Sequence, residues 1–340
     1  MRERRKIVEL WRRGKAAALV TLVRVEGSSY RQVGARLLVT VDGEYAGSIS
    51  GGCLEAEVVR KAVWMTRAGA VVERYSTLFD DTTEIPYGLG CGGTVDLLVE
   101  PAGTPEFAAL MEALEASLRG EERRVVTSLP EGGLPLRRVV GDAAVGGIVE
   151  WIQAPQRLYV FGAGDDAKPM VQMAALLGWD VWVVDGRAQW ARAERFPEAK
   201  RVIAAESFEG LEGLVIGPRD AAVVMTHRYE QDRVWLGELL ERGPRYLGML
   251  GARHRSALLV SEAAAKLGWS VDRACAGLFA PVGLDLGGDG AEAIALAVVA
   301  EIQACCEGKL GVSRRMTPEM VAEQVAKGGA SRYLQAQCAL

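Results

Sequence analysis

The stretch Gln156-Arg-Leu-Tyr-Val-Phe-Gly-Ala-Gly-Asp-Asp-Ala-Lys-Pro-Met-Val-Gln-Met-Ala-Ala-Leu-Leu-Gly-Trp-Asp-Val-Trp-Val-Val-Asp185 decides the fold. Arg157 to Phe161 is a short apolar run of the kind that forms a buried parallel strand. Gly162, Gly164 and Ala167 then give G-x-G-x-x-A at a turn. From Pro169 onward Met170, Met173, Ala174 and Leu177 recur at helical spacing, and Gly178 stops the helix. Val181 to Val184 reads as a second strand ending in Asp185, which lies 23 positions after Gly162. A strand, a glycine turn, a helix, a strand and then an acid is the β-α-β pattern of a dinucleotide-type unit.

Each residue type has a physical reason. Gly162 permits the tight turn, and Gly164 lets backbone approach a pyrophosphate at the positive end of the helix. Asp185 can accept from a ribose hydroxyl and would repel a 2′-phosphate, so an NAD-like ligand is favoured over an NADP-like one. Asp165 and Asp166 work against both. Acids suit a helix N-terminus, but two of them repel the phosphates a dinucleotide would bring.

Outside this stretch the composition is that of a globular protein, with 340 residues, 49% hydrophobic, 25% charged and a net charge of −4. That balance gives no reason to expect nucleic acid as a partner. The basic residues Arg2, Arg4, Arg5, Lys6, Arg12, Arg13 and Lys15 alternate with Ile7, Val8, Leu10 and Trp11, as on the solvated face of an amphipathic helix. No apolar run approaches the roughly 18 residues of a membrane span, and no targeting signal is evident, so a cytoplasmic protein is expected. Six cysteines and two histidines without a paired-cysteine motif suit a reducing compartment and argue against a structural zinc site.

Length predicts two domains. The expected division is an α+β domain over residues 1–153, a Rossmann-like doubly wound parallel-sheet domain over 154–311, and a tail over 312–340 with one short helix at 318–327. In the first domain the predicted elements are a helix to Gly14, a strand from Ala16 to Val25, a hairpin turning at Asp42-Gly43, and a helix after Cys53. Strands follow at Val71–Tyr75 and Val95–Val99, then a helix at Pro105–Leu118 and strands at Arg123–Ser128 and Leu136–Val140. Strand–helix alternation continues at Ala221–Met225, Glu230–Arg242, Tyr246–Leu250, Ser256–Leu267 and Asp289–Cys306, which implies a parallel sheet.

Chemistry has three candidate locations. Cys53 follows Gly51 and Gly52 at a predicted helix start, where the dipole favours thiolate. Cys91 lies in the glycine-rich run Gly88-Leu-Gly-Cys-Gly-Gly93, whose N–H groups can form an anion-binding concavity. Together they suit sulfur handling or contact with a soft metal such as molybdenum; the alternative is two small buried hydrophobes beside tight turns. The loop from Gly27 through Arg31 to Arg36 offers hydroxyls and two arginines for a phosphate or pterin-like heterocycle, or else is a turn with surface arginines. In the second domain, strand ends supply His227, as a general base or as a satisfied core histidine, and Arg253 and Arg255 as an anion clamp.

Gly27-Ser-Ser-Tyr-Arg31, Gly34-Ala-Arg36, Gly47-Ser-Ile-Ser-Gly-Gly-Cys53 and Gly90-Cys-Gly-Gly93 resemble the N-terminal domain of the XdhC/CoxI family. Phe161-Gly-Ala-Gly-Asp-Asp-Ala167, Val184-Asp-Gly-Arg187, Arg195-Phe-Pro197, Met225-Thr-His227, Gly248-Met-Leu-Gly251 and Ala280-Pro-Val-Gly-Leu-Asp285 resemble its Rossmann domain. The resemblance implies an accessory factor that binds the molybdenum cofactor (molybdopterin), supports its sulfuration with a cysteine desulfurase, and inserts it into an apo molybdenum hydroxylase such as xanthine dehydrogenase or carbon monoxide dehydrogenase. Tyr30, Asp165 and Tyr229 depart from the family pattern, and the last two remove histidines that many relatives carry. Carried over by position, the cofactor-binding candidates are Arg31, Gly51, Gly52, Cys53, Cys91, Gly162, Gly164, Asp185 and Arg253. Cys53, Cys91 and His227 are candidates for catalysis, and Cys53 or Cys91 for contact with the metal.

The leading reading is therefore a non-catalytic maturation chaperone whose two domains enclose the pterin between them. The alternatives are an NAD-dependent oxidoreductase, with Asp185 on the ribose and His227 as acid or base, and a regulatory protein that senses a dinucleotide. A homodimer is a further expectation.

Overall fold

Ala18 to Val23 is apolar apart from Thr21, and a strand with no polar face must be covered on both sides. The computed structural model, which describes residues 1–52, 54–76, 93–141, 146–211 and 213–311, shows how. Its N-terminal half runs α1 (Arg2–Arg12), β1 (Ala16–Glu26), β2 (Arg36–Thr40), β3 (Tyr45–Gly47), α2 (Glu55–Met65), β4 (Val71–Ser76), β5 (Thr94–Pro101), α3 (Pro105–Leu118), β6 (Arg123–Ser128), β7 (Arg137–Val140) and β8 (Ile148–Ile152). The first five strands form an antiparallel sheet ordered β3-β2-β1-β5-β4, which places β1 at its centre. Ala18, Val20 and Leu22 face Val58 and Ala62 of α2, whereas Leu19 faces Ile7, Leu10, Leu110 and Leu114 of α1 and α3. Full burial of each such aliphatic side chain contributes roughly 1.5–3 kcal/mol.

A separate three-stranded sheet, β7-β6-β8, lies against this core. It is fastened by Arg138 of β7, whose guanidinium donates to both oxygens of Glu100 on β5 at 2.7 and 3.0 Å and to the Glu106 carbonyl at 2.8 Å. Both side chains are sealed from water, at 1% and 0% exposed. Strand β8 was not among the elements read from the sequence.

The second half contains β9 (Arg157–Phe161), α4 (Ala167–Leu176), β10 (Asp180–Asp185), β11 (Arg201–Ala204), β12 (Ala221–Val224), α5 (Tyr229–Arg242), β13 (Tyr246–Met249), α6 (Arg253–Leu267), α7 (Val271–Cys275), β14 (Leu278–Phe279) and α8 (Ala291–Cys306). All six strands are parallel, in the order β11-β10-β9-β12-β13-β14. Alternate residues feed opposite layers: Leu158, Val160 and Val183 pack on α4 and α8, while Tyr159, Phe161 and Val184 pack with Trp235, Leu236 and Leu259 of α5 and α6. This is the expected doubly wound fold. Strands β11 and β14 and helix α7, none of them read from the sequence, are too short to carry a periodic signal. The predicted helix at 318–327 lies outside the described residues. No helix among the described residues is long and apolar enough to cross a membrane.

Removing one member of the Arg138–Glu100 pair strands the other charge without water. We expect Arg138→Met or Glu100→Gln to lower the free energy of unfolding by about 3–5 kcal/mol. Urea unfolding curves check this, and a change below about 1 kcal/mol would show that the sheet is held by its apolar contacts alone.

Candidate functional site

Glu55, on the first turn of α2, organises the loop before it. One carboxylate oxygen accepts from the Ser48 hydroxyl at 2.8 Å and from the backbone N–H groups of Ile49, Ser50 and Gly51 at 2.9, 2.9 and 3.3 Å. The other accepts from the Ser50 hydroxyl and from the Gly52 N–H at 2.9 Å. Burial opposes ionisation of this side chain, but the hydrogen bonds from Ser50, Ser48 and Ile49 outweigh it and bring the carboxyl down to about 2. The loop is thus a nest of donors closed on an internal anion.

Two further segments meet this loop. A Cβ on Gly51 would fall 2.7 Å from the Tyr30 ring, so the ring lies directly on glycine backbone, 73% exposed. A Cβ on Gly93 would fall 2.1 Å from the Ser28 carbonyl oxygen, so that glycine runs against the same loop. Gly51, two positions before Cys53, and Gly93, which follows Cys91 by two positions, therefore both meet the loop from Gly27 to Arg31, through Tyr30 and Ser28. Cys53 and Cys91 themselves lie outside the described residues. The arginines are already engaged: Arg31 pairs with Glu3, and Arg36 with Glu150 and with the Gly34 carbonyl at 3.0 Å. An anion arriving here would compete with carboxylates, which the sequence did not suggest.

The Rossmann crevice opens between β9 and β12, where the strand order reverses. A Cβ on Gly162 would stand 2.4 Å from the Met225 carbonyl oxygen, which makes glycine obligatory at this approach. Asp185 is 2% exposed. One of its oxygens accepts from the Arg187 N–H and Nε at 2.8 and 2.9 Å, and the other from the Ala163 N–H and Arg187 Nη2 at 2.8 and 2.7 Å. Burial alone would raise its pKa, yet these bonds hold it below the usual range. Two carboxylate oxygens offer about four acceptor positions, and all are used, so a ribose would have to displace Arg187.

Asp165 and Asp166 are spoken for as well. Asp165 pairs with Lys168 at 2.7 Å and with Arg195 at 2.9 Å, and Arg195 also donates to the Ala163 carbonyl at 2.6 Å. Trp190 is flanked by the guanidiniums of Arg187 and Arg195, at 4.8 and 4.6 Å from its ring centre. Asp166 reaches across the switch point to His227 Nε2 at 2.6 Å, and His227 holds a left-handed φ of 61°. A strained residue whose ring is 60% exposed is not a core histidine. With Asp166 it has the geometry of an acid–base pair. Beneath it, Asp232 accepts from Thr226 Oγ1 and Arg255 Nη2, both at 2.6 Å. Arg255 is therefore tied down, whereas Arg253 is exposed and has no partner among the described residues.

Among the described residues, the hydrogen bonds and ion pairs joining the halves lie at the amino ends of the parallel strands. Arg5 donates to Asp180 at 2.8 Å and to the Gly178 carbonyl at 3.1 Å, and Arg219 pairs with Glu122. The crevice is at the carboxyl ends, the length of α4 away, about 15 Å. The expectation that the two halves of one chain enclose a ligand draws no support from these contacts among the described residues.

Comparison with known proteins matches both halves to one family. Residues 10–76 match the XdhC and CoxI family, and residues 158–302 match the XdhC Rossmann domain. A Bacillus subtilis protein named as a probable subunit of xanthine dehydrogenase is 31% identical over 315 residues, spanning 84% of this chain and 92% of its own length. The chain belongs to the XdhC/CoxI family. The molybdenum cofactor insertion chaperone PaoD of Escherichia coli is 29% identical over 300 residues, with 87% and 85% of the two chains covered. The crystal structure of a xanthine dehydrogenase from Bacillus halodurans superposes with a TM-score of 0.77 at 27% identity, covering 94% of this chain and 99% of that one.

The XdhC/CoxI motifs thus fall into two clusters, the N-terminal loops and the Rossmann crevice. Glu55 and Asp232 were not singled out from the sequence, and Asp166 and Arg187 were read there only as a charge against phosphate and as part of a family motif. A signal existed for Glu55 in Ser50-Gly-Gly-Cys-Leu-Glu55, where an acid in the first helical turn faces hydroxyls and glycines just before it. A carboxyl with a depressed folded pKa stabilises fully above about 4.5, its ordinary value, and loses that contribution as pH falls toward about 2. We expect Glu55→Gln to weaken the fold by about 1–3 kcal/mol near neutrality and to flatten the decline in stability over that acid range. Urea midpoints measured across the range check this; an unchanged slope would show that another group carries the acid sensitivity.

Proposed function

We propose that this protein carries the molybdenum cofactor and inserts it into a molybdenum hydroxylase, acting as a maturation chaperone rather than as the dehydrogenase. The observation that carries the reading is the meeting of Gly51 with Tyr30 and of Gly93 with Ser28 at one end of the N-terminal sheet. It brings the approaches to Cys53 and Cys91 together beside a loop whose backbone is held in place by Glu55. The likeness to PaoD, named a cofactor insertion chaperone, supports it. Cys53 and Cys91 supply the thiolates, the chemistry a soft molybdenum centre and its sulfur exchange require. A cysteine desulfurase as sulfur donor, xanthine or carbon monoxide dehydrogenase as recipient, and a homodimer belong to the same proposal.

Nothing in the crevice favours the dinucleotide readings over this one. The acid that would take a ribose is saturated by Arg187 and Ala163, and the pyrophosphate path is crossed by the Asp166–His227 contact.

Co-expression in a host that makes molybdenum cofactor, followed by anaerobic purification, tests the proposal. Near-stoichiometric molybdenum and pterin are expected in the wild-type protein, with loss of at least half in Cys53→Ala and Cys91→Ala at unchanged circular dichroism. Absence of both metal and pterin from the wild-type protein would overturn it. Full retention in both variants would make the cysteines structural.

A further inference from the structure

We propose that the amino end of α6 is a binding site for the terminal phosphate of a ligand seated in the Rossmann crevice. The site lies at β13, one strand beyond the switch point, and it holds whichever heterocycle that phosphate carries.

Helix α6 spans 15 residues and begins at Ala252 with no side-chain cap. The first backbone N–H to be engaged is that of Ser256, on the Ala252 carbonyl at 3.0 Å; those of Arg253, His254 and Arg255 have no acceptor among the described residues. Free N–H groups at the positive end of a helix attract an anion, but every helix has them. What distinguishes this one is Ser256. Its hydroxyl is buried, the residue being 3% exposed, and has no hydrogen-bond partner, a rare condition for a buried polar group. It faces the turn at Gly251, 3.9 Å from where a Cβ would stand, and Arg255 Nη1 lies 3.2 Å from the same point. Glycine at 251 thus lets the Ser256 hydroxyl and the Arg255 guanidinium close on the turn, with the helix N–H groups beside them.

Charge separates this turn from the one at β9. There Asp165 and Asp166 fill the space a bridging pyrophosphate would cross. Gly248 to Ser256 contains no acid, and the adjacent Asp232 is neutralised by Arg255 at 2.6 Å. Arg253 remains, exposed and unpaired among the described residues, to meet a second negative charge. The anion best suited here is thus a doubly charged terminal phosphate rather than a singly charged bridge.

Titration at fixed ionic strength tests this, with methyl phosphate and dimethyl phosphate as probes and binding read from phosphorus resonances. Saturable binding of methyl phosphate is expected, at least tenfold weaker in Arg253→Ala and several-fold weaker in Ser256→Ala. Ser256→Ala should be no less stable than wild type, because it removes an unsatisfied hydroxyl. No saturable binding, or equal binding by both variants, would overturn the site. Equal affinity for dimethyl phosphate would place a bridging diester there and overturn the assignment to a terminal group. Because neither probe contains molybdenum or pterin, these outcomes are independent of whether the protein carries that cofactor.

Discussion

The close approach of β9 and β12 at the switch point is the constraint on which the C-terminal half depends. Gly162 passes so near the Met225 carbonyl that any side chain would collide with backbone, which cannot move aside as a flexible side chain can. Once these strands are in contact, the loops leaving them must diverge, and the crevice is the space that results. Asp185 then fixes the depth of that space. It ties the Ala163 N–H to β10 and draws Arg187 inward, so the glycine turn is braced from beneath. The left-handed backbone of His227, which would be unfavourable in isolation, is held by its contact with Asp166 and by the Thr226–Asp232–Arg255 network below.

Buried carboxylates recur as the devices that shape loops in this protein. Glu55 gathers hydroxyls and amides in the N-terminal loop, Asp232 holds Thr226, and Glu301 accepts from both the Tyr246 hydroxyl and the Gly283 N–H. Each satisfies donors that irregular backbone would otherwise leave unmet away from water. This is the physical reason a chain rich in glycine loops keeps defined geometry at both clusters.

The strands and helices with a strong apolar pattern, such as the run Arg157–Phe161 and the helix Pro105–Leu118, were legible in the sequence because one residue pattern serves both local propensity and burial. Gly162, Gly164 and the glycines around Cys53 were legible for a similar reason, since turn chemistry is local. What could not be read was the commitment of side chains across long separations. Arg138 and Glu100 are 38 residues apart, Asp166 and His227 61, and Arg36 and Glu150 114. Asp185 looked like an open acceptor because its ring of donors includes an arginine two positions along and an amide 22 positions back. Arg253 and Arg255 looked equivalent in sequence; only the fold shows that one is anchored to Asp232 and the other is not.

The contacts of α1 have a consequence for the order in which the molecule takes shape. Ile7, Val8 and Leu10 pack into the N-terminal core, yet Arg5 on the same helix bonds to Asp180, 175 residues away. During synthesis the apolar side of α1 can be covered as soon as β1 and α3 exist. Arg5 alone of its charged residues must remain hydrated until the Rossmann sheet has been made, because Asp180 opens β10. Docking of the halves is therefore a late event with a high loop-closure entropy, whereas each half assembles from nearer neighbours. The first helix of the chain completes the last contact of the fold.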